Sequence, residues 1–174
     1  ATIDLTPETA VDFPGLTTTF VSPTNGFSFK YFRGLAPATE LWDPRSGQLD
    51  EYDSQTDDGF DQMETGLGAY FWAASTPIPE GVSIDEWVDD YVSPSGCGRP
   101  RRQQEEITID GQPGRISECP TDQIVATVVA GGRLYFFTLQ HNRSDARAFF
   151  DAWVATIDLR PEAAAVPSRR AGNA

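Results

Sequence analysis

Asp50, Glu51, Asp53, Asp57, Asp58, Asp61 and Glu64 place seven carboxylates within fifteen residues, around Gly59 and close to Tyr52 and Phe60. Calcium takes about six to eight oxygen ligands, and a flexible acidic stretch supplies several of them. Asp53, Asp57, Asp58 and Asp61 are therefore the candidate metal ligands. The spacing is not that of an EF-hand. With Gly59 on that motif's glycine, the first, third and last ligand positions fall on Ser54, Thr56 and Thr65, where acids belong. Weak calcium binding, an acidic loop facing a partner and a merely solvated loop are the three readings, and the solvated loop is favoured.

Arg99, Arg101 and Arg102 form the dense basic group of the chain's middle. Their ordinary use is pairing with nearby acids, the acidic loop among them, and their alternative use is contact with an anionic partner. The single histidine, His141, would need an activated Ser or Cys and an orienting carboxylate to work as a hydrolase base. No Gly-x-Ser-x-Gly elbow is present, so a capping or surface role is the simpler reading. Glu105 and Glu106, or pairs inside the acidic loop, supply two carboxylates as a glycosidase does, although such pairs are inevitable in so acidic a chain. Trp87 and Trp153 fall on apolar helical stripes. Trp42 and Trp72 are left as candidate contact platforms for a partner, and Asn142-Arg143-Ser144 matches a glycosylation sequon that acts only in a eukaryotic secretory pathway.

The 174 residues carry 26 acids against 13 bases, a net charge of −13 that repels phosphate backbones and excludes nucleic acid as a natural partner. The imbalance is concentrated in residues 1–96, where 17 acids face Lys30, Arg33 and Arg45. Twelve of the thirteen bases are arginine, which fits a GC-rich genome as well as any functional demand. Apolar residues make up 39%, enough for a core, and no stretch approaches the eighteen or so apolar residues of a membrane helix. Cys97 and Cys119 are too few for a four-thiolate zinc site, and both sit beside turn formers, so one disulfide is the economical reading. A disulfide implies an oxidising compartment, and hence export. A chain starting at Ala1 whose one methionine is Met63 is expected to have lost an upstream signal peptide or membrane anchor.

These side chains must be held by a scaffold, and its elements follow from pattern. Residues 1–16 read as an arm or linker, 17–160 as one domain, and 161–174 as a flexible tail. Thr17 to Val21 is β-branched and aromatic, Ser22-Pro23-Thr24-Asn25-Gly26 supplies turn chemistry, and Phe27, Phe29 and Tyr31 alternate with Ser28 and Lys30, which predicts a hairpin with one apolar face. Residues 43–66 read as a long loop with room for a short irregular strand, and Leu67 to Ser75 as a strand. Ser83 and Glu86 have capping-box spacing ahead of Ile84, Trp87, Val88 and Tyr91, predicting a helix from about 84 to 92 that ends before Pro94. Two more hairpins follow, across Asp110 to Gly114 and across Ala130-Gly131-Gly132. Ser144 then caps a last helix carrying Phe149, Phe150, Trp153, Val154 and Ile157. The predicted fold class is α+β, a central antiparallel sheet built from hairpins and flanked by two amphipathic helices.

Asn25-Gly26-Phe27-Ser28-Phe29-Lys30-Tyr31 resembles the early Gly-Phe-x-Phe-x-Tyr hairpin of PsbP-like proteins. Gly131 to Leu139, followed by a terminal aromatic helix, resembles that family's closing hairpin and helix, and the element order agrees over residues 18 to 160. The resemblance implies an extracytoplasmic accessory or binding role rather than catalysis. PsbP itself is an extrinsic photosystem II subunit that supports retention of inorganic cofactors. The disulfide, the acidic loop and the scarcity of lysine depart from the plant pattern, so photosystem binding is not carried over, and a bacterial secreted or lipid-anchored relative is the closer comparison. The functional expectation is a non-enzymatic extracytoplasmic domain that contacts a protein or cell-envelope component, with calcium as the one cofactor to test. The alternative is a secreted hydrolase that uses carboxylates on a carbohydrate.

Overall fold

The computed structural model describes residues 15–22, 25–32, 58–61, 69–78, 80–81, 83–86, 100–142 and 144–164. Strand β1 (Leu16–Val21) and strand β2 (Phe27–Phe32) form the first hairpin, closed by the Ser22 amide donating to the Phe27 carbonyl at 2.9 Å. Phe27 and Phe29 lie on its buried side. Ser28, on the opposite parity, is buried as well, because β9 (Asp158–Leu159) pairs with β2 and brings the Asp158 carboxylate to within 3.4 Å of the Ser28 hydroxyl. The first hairpin therefore belongs to a three-stranded sheet of its own, ordered β1-β2-β9.

Among the described residues the second sheet has six antiparallel strands in the order β3-β4-β8-β7-β6-β5. Its members are β3 (Asp58–Asp61), β4 (Ala69–Pro77), β5 (Glu105–Ile109), β6 (Gln112–Cys119), β7 (Gln123–Ala130) and β8 (Arg133–His141). The architecture is α+β as expected, but two sheets replace the single central one. The physical reason is the return of the chain after the last helix, which gives the first hairpin a third strand of its own at Asp158–Leu159. The hairpin of β5 and β6 turns on Asp110 and Gly111, both with positive φ (47° and 72°), as a mirror-image two-residue turn requires. The expected five-residue link is thus shorter, and Pro113 lies inside β6. It is tolerated there because pairing with β7 begins only at Gly114.

Helix α1 (Ala146–Val154) presents Phe149, Phe150 and Trp153 to Phe137 of β8 and Phe29 of β2, joining the two sheets through one aromatic core. Its N-cap position is Asp145, one residue beyond the expected Ser144, and the cap makes no side-chain hydrogen bond. Of the other expected helix, residues 84–86 are helical, with the Glu86 amide donating to the Ser83 hydroxyl at 3.5 Å, and its continuation through Trp87 lies outside the described residues. Residues 161–164, assigned by pattern to the tail, belong to the packed structure as a 3-10 turn from Pro161 to Ala163. Two turn glycines receive it. A Cβ on Gly26 would stand 2.5 Å from the Arg160 carbonyl oxygen, and one on Gly131 would stand 2.5 Å from Pro161 Cβ, while both residues hold positive φ.

Candidate functional site

The turn of the first hairpin carries a polar node that sequence reasoning missed. Among the described residues β3 pairs with β4 as far as Ala73, and the next amide of β4 on that side, that of Ser75, takes a side-chain acceptor instead. The Asn25 side-chain oxygen takes it at 3.0 Å, and the Ser75 hydroxyl donates to the Asn25 carbonyl at 2.6 Å. Asn25 is itself fixed by its amide donating to the Ser22 hydroxyl at 2.8 Å. On the other side, Arg133 at the start of β8 donates from Nε and Nη2 to the Ser75 hydroxyl at 3.1 and 2.9 Å. Asn25-Gly reads as turn chemistry and Arg133 as a hairpin flank, so nothing in either motif alone announces that they meet.

Burial holds the Arg133 guanidinium below the ordinary arginine range, and among the described residues it makes no ion pair. Two residues along β8, burial pushes the Tyr135 phenol up to about 12, and its hydroxyl has no hydrogen-bond partner among the described residues. The Ser75 hydroxyl gives its proton to a carbonyl and receives donors from a guanidinium. An activated nucleophile needs the reverse, a base that removes the proton. The chemistry available at the node is donor-rich binding and the locking of one sheet to the other.

A second cluster surrounds Arg147 on α1, which donates to Glu105 at 2.8 Å, to Glu118 at 3.0 Å and to Asp151 one turn later at 2.9 Å. The hydrogen bond from Arg147 holds the Glu105 carboxyl below its usual range, and the carboxylates, Glu105 first, hold the Arg147 proton more tightly than usual. Glu106, adjacent on β5, alternates to the other sheet face and pairs with Arg115 at 2.8 Å. The Glu105–Glu106 pair therefore does not make a glycosidase site: the two carboxylates point to opposite faces, each against an arginine, and a general acid requires a raised pKa where Glu105 has a lowered one.

The remaining expected site residues are spread over the molecule. Arg101 pairs with Asp85 at 2.8 Å, Arg102 lies exposed in the 3-10 turn of Arg101–Gln103, and Arg99 lies outside the described residues. Asp58 and Asp61 are the first and last residues of β3, at positions of opposite parity opposite Ala73 and Tyr70, while Asp53 and Asp57 lie outside the described residues. No group of three potential metal ligands occurs among the described residues. Trp72 is a β4 position opposite Gly59 and Thr138, and Trp42 lies outside the described residues. Cys119 is buried at the end of β6 and is not a free thiol; Cys97 lies outside the described residues. His141 ends β8, its amide donating to the Asp122 carbonyl at 2.9 Å.

No family profile and no curated protein sequence matches the chain. A solved structure does: the solution structure of cyanobacterial PsbP (CyanoP) from Synechocystis sp. is similar over 82% of this chain and 91% of that one, with a TM-score of 0.51 and 12% identity. The fold is PsbP-like. At 12% identity the likeness is one of backbone arrangement, and the side chains of the node and of the arginine cluster must be judged on their own geometry. The two segments that resemble PsbP-like hairpins have distinct places in this PsbP-like fold, since Gly26 to Tyr31 builds the small sheet and Gly131 to Leu139 the centre of the large one. No described helix is long and apolar enough to cross a membrane.

Proposed function

We propose that this PsbP-like domain is a non-enzymatic, extracytoplasmic accessory domain that binds a protein or cell-envelope component. The observation that carries the reading is the fold match, which spans 82% of this chain and 91% of the other. The commitment of the Ser75 hydroxyl and of Glu105 and Glu106 to arginines and a carbonyl supports it. The test is photo-cross-linking of the full chain to envelope fractions of its source cells. A saturable adduct, competed away by unlabelled domain, is the expected result. Turnover of any member of a polysaccharide panel, without such an adduct, would replace the binding reading by a hydrolase.

Two details belong to the same proposal. The two cysteines of the chain, Cys97 and Cys119, are proposed to be bonded to each other, a reading that the absence of a free thiol at Cys119 supports. Intact mass is expected to fall two hydrogens short of the reduced chain, and reduction to cost about 3 kcal/mol for a closed loop of roughly twenty residues. The stretch holding Asp53, Asp57, Asp58 and Asp61 is solvated or faces a partner rather than caging calcium, since its spacing is not that of a calcium loop. Millimolar calcium and sodium chloride of equal ionic strength should then give the same Tm. A rise specific to calcium would reinstate the metal site, because a ligand that binds only the native state stabilises it by mass action.

A further inference from the structure

Among the described residues the two sheets end in four edge strands, β1, β9, β3 and β5. An edge strand offers unpaired amides and carbonyls to any other strand, and proteins blunt such edges with charge, shortness or cover. Three of the four are blunted. β9 is two residues long, and the Leu159 amide that faces away from β2 donates to the Asp110 carboxylate at 3.0 Å. β3 begins and ends with Asp58 and Asp61, and β5 begins with Glu105 and Glu106. β1, Leu16-Thr17-Thr18-Thr19-Phe20-Val21, carries no charge at all.

The ladder shows which groups that edge presents. The Ser22–Phe27 hydrogen bond makes Ser22, Phe20 and Thr18 the inward-bonded positions, and alternation turns the N–H and C=O of Thr19 and Val21 away from β2. The amide of Lys30, opposite Thr19, accordingly points the other way, to the Thr156 hydroxyl at 3.0 Å. No described residue pairs with the outer edge of β1. The side chains of Thr19 and Val21 are exposed, and Val21, at 55%, is the exposed large hydrophobic side chain of the described residues. The register shift at Thr17, whose amide turns back to the Gly15 carbonyl, limits the regular edge to Thr18–Val21.

We propose that β1 is a docking edge, on which an extended segment of another protein adds as a further strand of the small sheet. The proposal rests on the binding reading above and names its surface. The occupant is a short run of uncharged β-branched residues with basic flanks. The peptide groups of Thr19 and Val21, which no described residue pairs, supply the strand pairing, and Val21 supplies an apolar contact. The net charge of −13 attracts the basic flanks and opposes pairing of β1 with β1 of a second copy.

The probe is the peptide Lys-Lys-Thr-Val-Thr-Val-Thr-Lys-Lys, titrated into the isotope-labelled full chain, with a control peptide in which both Val are Pro. The expected result is that the Thr19 and Val21 amides shift and exchange with solvent about tenfold more slowly at saturation, while the control peptide fails to bind. Val21→Lys and Thr19→Pro should each weaken binding about tenfold. Thr19→Pro removes an outward amide without touching the β2 ladder, and Val21→Lys alters an exposed side chain, so either variant can be shown folded by its unchanged core resonances. Unmoved Thr19 and Val21 amides at millimolar peptide, or binding that survives both substitutions, would overturn the proposal. So would a dimer of the free chain that protects the same amides. If β1 fails while the envelope adduct persists, the binding reading stands with its surface elsewhere; loss of the adduct removes the reading itself.

Discussion

The two faces of the six-stranded sheet are closed by different chemistry. On the side of α1, rings dominate: Trp153 meets Phe29 at 5.2 Å, Phe150 at 5.6 Å and Phe137 at 6.1 Å, all near edge-to-face. On the other side, Val125, Leu134, Phe136 and Cys119 form a smaller cluster with Ile78, Ile84 and Val129. There the register interleaves buried hydroxyls, Ser117 opposite Val125 and Thr127 opposite Phe136. Edge-to-face ring pairs contribute about 0.5–1.5 kcal/mol each beyond their area, whereas a buried hydroxyl without a partner costs about 1–3 kcal/mol. The aromatic side therefore holds the two sheets together, and among the described residues two of the three unsatisfied buried hydroxyls, those of Ser117 and Thr127 but not that of Tyr135, lie on the other side.

The largest effect that would break this comparison is at Trp153, which is 1% exposed at the junction of α1, β2 and β8. Trp153→Ala should cost about 3–5 kcal/mol in urea unfolding, as large-to-small changes at buried aromatics do. A loss well below 1 kcal/mol would mean that the sheets are joined by something other than these rings.

Tyr135 sharpens it next, since it is a buried hydroxyl on the aromatic side. Its phenol is raised from 10 to about 12 in the folded state by burial, so the folded protein resists the charge that the unfolded chain accepts. Its contribution is intact below pH 10 and is lost as pH rises to about 12. Unfolding measured across that window should show a loss on the order of 3 kcal/mol, because each tenfold difference in proton affinity between the folded and unfolded chain is worth about 1.4 kcal/mol. Tyr135→Phe should remove this alkaline loss and leave neutral-pH stability unchanged or slightly higher. An unaltered alkaline profile in that variant would assign the titration to another group.

Local pattern made the hairpins legible because each is specified within a dozen residues. Phe27 and Phe29 alternate, Asp110-Gly111 demands a mirror-image turn, and the apolar run of β7 and β8 is what a strand buried on both faces requires. Separation into two sheets was not legible, because it depends on Asp158–Leu159 returning to β2 over more than a hundred residues, and a two-residue strand has no period to read. The node is hidden for the same reason. Asn25, Ser75 and Arg133 are each ordinary in their own segment, and only the tertiary fold brings the Ser75 amide to the Asn25 side chain, fifty residues away in sequence. Arg147 carried a fragment of signal, its four-residue spacing from Asp151, but its partners Glu105 and Glu118 come from the far edge of the sheet.

The smallest effect tests the hydroxyl side directly. Thr127 is 1% exposed, and its hydroxyl has no hydrogen-bond partner among the described residues, so folding removes it from water without replacing what water gave. Valine has nearly the same shape and suits a central strand, and it carries no hydroxyl to desolvate. Thr127→Val should therefore raise stability by about 1 kcal/mol, against the usual expectation that a core substitution destabilises. The gain should be insensitive to pH, which separates it from that of Tyr135→Phe. A loss instead of a gain would show that the hydroxyl is satisfied in solution by a bound water, and the two faces would then differ in shape alone rather than in how well their polar groups are satisfied.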